Sequence, residues 1–84
     1  MESEIGKVSA FFARPVVAGV DLTAELRTGD RLRVKGHTTD LELTADSIQI
    51  EGASVASAKA GDAVGIKVPD RVRPGDTVYK ILED

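Results

Sequence analysis

The sequence predicts an all-β domain, a small closed antiparallel β-barrel of six to seven strands, and three observations carry that expectation. Apolar residues recur at every second position in short runs, as in strands with one dry and one wet face. A Gly-Asp turn occurs three times, at Gly29-Asp30, Gly61-Asp62 and Gly75-Asp76. The chain has only 84 residues and no cysteine. One thin core must therefore hold it without disulfides, and closure would leave no sheet edge open to other chains.

Taken in order, residues 1–4 (Met1-Glu2-Ser3-Glu4) are polar and are expected as a flexible lead, with residues 5–84 forming one domain. Ile5, Val8, Ala10 and Phe12 fall near a two-residue period, with a slip that predicts a bulge near Gly6. Phe11 and Phe12 must then point to opposite faces, one into the core and the other expected under a neighbouring loop. Left uncovered, the second ring with Ala13-Arg14-Pro15 would make a small recognition patch. Further alternating runs are Val16-Ala18-Val20, Leu32-Val34, Leu41-Leu43, Ile48-Ile50 and Val64-Ile66-Val68. Only 55–60 hints at a helical stripe, and it lacks large apolar residues. The predicted core is Val8, Val17 or Val20, Leu32, Val34, Ile48, Ile50, Val64, Ile66, Val68 and Val78.

Each Gly-Asp pair reads as a structural turn. Glycine supplies the positive φ, Pro74 presets the residue before Gly75, and each aspartate can accept nearby backbone N–H groups. An apolar residue follows two positions after each aspartate: Leu32, Val64 and Val78. The spacings between the turns, Gly29 to Gly61 and Gly61 to Gly75, are unequal, so the chain is not a solenoid.

Chemistry is sparse. Eleven Lys+Arg against fourteen Asp+Glu give a net charge of -3, the wrong sign for binding nucleic acid through the overall field. The start is acidic and lacks an apolar stretch, which predicts a cytoplasmic protein without a signal peptide. Apolar runs such as Val16-Val17-Ala18 are too short to span a membrane. His37 is the only histidine and lies in Lys35-Gly36-His37-Thr38-Thr39, which reads as a solvated loop. No phosphate-cradling loop or serine nucleophile motif occurs, so no nucleotide, cofactor, metal or catalytic residue is expected. Lys59 lacks the surroundings of a biotinyl or lipoyl attachment site. Two basic groups stand out: Arg31, Arg33 and Lys35 on one strand face, and Lys67, Arg71 and Arg73 near the last turn. Their functional reading is a phosphate-contacting surface. Their plain reading is a solvated edge strand, neutralised by Asp30, Asp40, Glu42 and Asp70.

Three segments together resemble domain 2 of the translational GTPases, the elongation factor Tu-like barrel. They are Ile5-Gly6-Lys7-Val8, the run from Ala18-Gly19-Val20 to Gly29-Asp30-Arg31-Leu32, and Ala58 to Ile66 followed by Val72-Arg73-Pro74-Gly75-Asp76-Thr77-Val78. The resemblance implies a Greek-key barrel and a non-catalytic partner of tRNA, ribosomal RNA or a translation or RNA-modification protein. The GTPase domain of that family is absent, and Val20-Asp21-Leu22-Thr23-Ala24 replaces its Arg-x-Glu-x-Gly. Similar barrels also occur as accessory domains, for example in U32 peptidase-like proteins. The second expectation is therefore an interaction module that docks onto a separately encoded GTPase or U32-like enzyme.

Overall fold

Alternation along the chain becomes ten short strands in a computed structural model that describes residues 1–14 and 16–82. They are β1 (Glu2–Ala13), β2 (Val16–Leu22), β3 (Leu26–Arg27), β4 (Arg31–Lys35), β5 (Asp40–Thr44), β6 (Ile48–Ile50), β7 (Ala53–Val55), β8 (Ser57–Ala58), β9 (Ala63–Lys67) and β10 (Thr77–Ile81). Eight of them form one sheet in the order β5-β4-β10-β1-β2-β9-β6-β7, and β3 pairs with β8 in a separate ribbon. Every ladder is antiparallel.

The domain is thus all-β, but its hydrogen-bonded ladder does not close. β5 and β7 end the order without pairing to each other. The sheet still wraps round its core. Ala18 and Val20 of β2 and Ile66 of β9 line one small void with Leu32 of β4, Leu43 of β5 and Val78 of β10. That void, about 10 Å³, is at the lower limit for holding a water. The expected six to seven strands fall short of ten because β3, β7 and β8 are only two or three residues long. Such pieces show no period. The segment 55–60, with its hint of helix, contains the end of β7 and all of β8.

Glu2, Ser3 and Glu4 already pair with Ile81, Lys80 and Tyr79 of β10. Beyond them the register slips between Glu4 and Gly6, a bulge that turns Ile5 into the core. Gly6 is needed there, since a Cβ would come within 2.6 Å of the Asp21 carbonyl oxygen on β2.

The three Gly-Asp pairs build one module three times over. In residues 27–30, 59–62 and 73–76 the aspartate N–H donates to the carbonyl oxygen of Arg27, Lys59 or Arg73, closing a four-residue turn. Gly29, Gly61 and Gly75 sit third in each turn at φ 92°, 94° and 95°, the position where a type II turn needs glycine. The aspartate Oδ2 then accepts the N–H of that same basic residue, at 2.9, 3.0 and 2.8 Å. Each turn also docks on a buried residue: Ala45 just after β5, Leu22 of β2 or Val8 of β1. That residue accepts the glycine N–H and donates its own N–H to the aspartate carbonyl. The residues before each turn (Leu26, Ala58, Val72) and two after each aspartate (Leu32, Val64, Val78) are buried. The turns therefore pin the starts of β4, β9 and β10 to the core.

Of the predicted core, Val8, Val20, Leu32, Val34, Ile48, Val64, Ile66, Val68 and Val78 are buried, while Val17 and Ile50 are half-buried. Ile5, Ala18, Leu22, Leu26, Ala45, Ala58 and Val72 complete it.

Candidate functional site

Charged side chains concentrate on the outer face of β5 and β4, where Glu2 of β1 joins them. Arg31, Arg33 and Lys35 do share one face of β4, opposite Thr44, Glu42 and Asp40 of β5. β4 is not an edge strand, since it lies between β5 and β10. Arg31 reaches Glu42 at 3.2 Å. Arg33 donates to Asp40 at 3.0 Å and to Glu42, and its Nε lies 2.6 Å from the Glu2 carboxylate. The hydrogen bond to Asp40, with the charges of Glu2 and Glu42, raises the Arg33 pKa above its ordinary value against a smaller effect of burial. A raised arginine stays charged at every pH below its ordinary value, so this cluster has no switch on the arginine side. Lys80 on β10 reaches Asp30 at 3.2 Å. Two of the three basic residues on β4 are thus engaged by carboxylates of the same domain.

The second basic group is divided. Lys67 borders a hollow with Glu42, Thr44 and Asp46, whereas Arg71 and Arg73 border another with Phe11 and Pro74. The Arg71 guanidinium stands 5.7 Å from the centre of the Phe11 ring, a cation–π pairing that also covers the ring. His37 is exposed in the loop between β4 and β5. Among the described residues no three His, Cys, Asp or Glu side chains lie close enough to hold a metal. No helix among them is long and apolar enough to cross a membrane.

Outside β1, β2, β9 and β6 the surface changes character. A hollow of about 520 Å³ crosses these strands, floored by Ala10, Gly19, Gly65 and Gln49, with Phe12 and Val17 on one rim. Phe12 is 57% exposed, so the ring expected to lie under a loop stands in solvent. Phe11 takes the inward side and packs on the core. Of the patch Ala13-Arg14-Pro15, Arg14 borders the hollow, and Pro15 lies outside the described residues. A single exposed Phe carries no sequence signal. What marks this site is the pairing of two strand glycines, Gly19 opposite Gly65, visible only once the register is known.

No family model matches the chain. It is 40% identical, over 81 residues and 95% of its length, to an uncharacterized protease of Methanocaldococcus jannaschii. It is 32% identical over 78 residues to a collagenase of Porphyromonas gingivalis. The chain spans about a fifth of the length of these curated relatives, 20% and 22%. Among solved structures, the C-terminal domain of a Geobacillus thermoleovorans protein assigned as a U32 peptidase superposes with a TM-score of 0.88. The match covers 93% of this chain and 99% of that one, at 21% identity. A second crystal structure of that domain gives 0.87. The fold is that of a U32 peptidase C-terminal domain.

These comparisons overturn the resemblance to domain 2 of the translational GTPases and leave the translation-factor RNA-binding reading that rested on it without support. The motifs behind that resemblance, Gly29-Asp30, Gly61-Asp62 and Gly75-Asp76 with their flanking apolar residues, are requirements of the turn module. A chain that starts strands in this way needs those residues whatever its family.

Proposed function

We propose that the chain is an accessory module of the U32 peptidase type, without catalysis of its own, that packs against a peptidase body in its own or another chain. The observation that supports this is one of proportion: 95% of the chain matches 20% of the M. jannaschii protease. A U32 peptidase C-terminal domain, moreover, is matched over 99% of its length. In this reading the peptide-bond hydrolysis to which the relatives' names refer belongs to the other four fifths of such chains. The exposed, isolated His37 agrees with it.

The reading is tested by replacing the 81 matched residues of the M. jannaschii protease with this chain. The graft should be a folded, active protease whose new domain tumbles with the body. The isolated chain should release no new amino termini from gelatin, and hydrolysis by it would overturn the proposal.

A further inference from the structure

The hollow on the outer face is a stretch of surface that the domain does not use for itself. Strand register lines up Ala10, Gly19, Gly65, Gln49 and Ser54 in one outward row across β1, β2, β9, β6 and β7, with no charge in it. Neither glycine of the pair is demanded from within. Both lie outside the positive-φ set, and an added Cβ would meet nothing closer than 3.4 Å. Glycine inside a strand weakens it and often marks close approach by another backbone or a ligand. Beside this floor, Phe12 at 57% exposure presents a large apolar ring next to the half-buried Val17, the kind of anchor that interfaces bury at their centre.

We infer that this trough is where the peptidase body seats, an inference that rests on the accessory-module reading. Its occupant is the remaining four fifths of a U32-type chain, presenting an uncharged, apolar stretch of polypeptide. Two observations select that occupant. In the relatives the matched segment is a fifth of one longer molecule, so a much larger body is held beside it by the chain itself. The opposite face, β5-β4-β10, has its arginines bound to Glu2, Asp40 and Glu42, and a partner there would have to displace those carboxylates. The trough is open, its floor is uncharged, and the charged residues at its border, Arg14 and Glu51, take no part in the ion pairs described above, so covering it displaces none of them.

The absence of cysteine makes the test direct. Single variants Gly65→Cys and Ala10→Cys place a thiol in the trough, and Lys35→Cys places one on the opposite face. Alkylation of each is timed in the isolated chain and in the M. jannaschii graft, with the labelled peptide identified by mass. The trough thiols should react about tenfold or more slowly in the graft, as in the water-excluded centre of an interface, with Lys35→Cys unchanged. Equal trough rates together with a slowed Lys35→Cys would overturn the trough and leave the accessory-module reading standing. Equal rates at all three sites, with a graft whose domain tumbles independently of the body, would overturn both. Trough labelling that slows in the isolated chain as its concentration rises would make a second copy the occupant, and would also overturn the inference.

Discussion

Asp76 and Gly36 show how far a single side chain reaches in so small a core. Asp76 is 5% exposed, against the half-exposed Asp30 and Asp62 of the sister turns. Gly36, at the end of β4, lies against its carboxylate so closely that a Cβ would overlap it. Asp76→Ala should cost about 1–3 kcal/mol, the penalty for leaving the part-buried Arg73 N–H without its carboxylate, and more than Asp62→Ala. Gly36→Ala alone should also destabilise, because the carboxylate must move. In an Asp76→Ala background the same Gly36→Ala change should cost almost nothing. Urea unfolding of the four proteins checks the cycle, and additive losses would refute the contact. Glu51 is the one non-glycine residue at positive φ among those described, at 50° beside Gly52 at 81°. The two form the tight loop between Ile50 and Ala53, both in the left-handed conformation that favours Asn-Gly. Glu51→Asn should therefore raise stability by about 0.5–1 kcal/mol, read from the shift in urea midpoint. That loop also explains why β7 was hidden in the sequence, since Glu-Gly is a poor hairpin signal.

At the scale of elements, much of the fold was legible because antiparallel strands with one wet face must alternate. Leu32-Val34, Ile48 and Val64-Ile66 gave β4, β6 and β9 on that ground, and the slip near Gly6 gave the bulge. Leu26, Ala45 and Ala58 were invisible, because they are single buried residues beside turns or in two-residue strands. The glycines of the sheet divide by what lies above them. Gly6→Ala should destabilise, since its Cβ would strike the Asp21 carbonyl. Gly65→Ala should stabilise the isolated domain by about 0.5–1 kcal/mol, the usual deficit of glycine inside a strand. Thermal melts of the two variants should move in opposite directions. A Gly65→Ala that loses stability would mean the glycine serves the fold itself.

For the whole molecule, the sequence carried the fold class and the wrong family. Strand alternation and turns are demanded by an antiparallel sheet, and unrelated families meet that demand with the same residues. Where the ladder stops was also hidden, because pairing partners such as β5 with β4 are chosen by register across the whole chain. The β1–β10 ladder brings the ends of the described chain together: the Leu82 N–H donates to the Met1 carbonyl at 2.6 Å, and the Met1 ammonium donates back at 3.3 Å. A circular permutant joined there by a short linker and opened at Glu51-Gly52 should fold and melt in one cooperative transition. A broad or two-step melt would show that the β6–β7 hairpin must stay continuous.

The same meeting of the ends has a mechanical consequence. Tension applied through the two ends pulls β1 and β10 apart one rung at a time, starting at the outermost Glu2–Ile81 pair. It does not load the whole ladder in shear. Such a domain opens at low force in small steps, so in a tethered assembly it would act as a soft link that yields before its neighbours do.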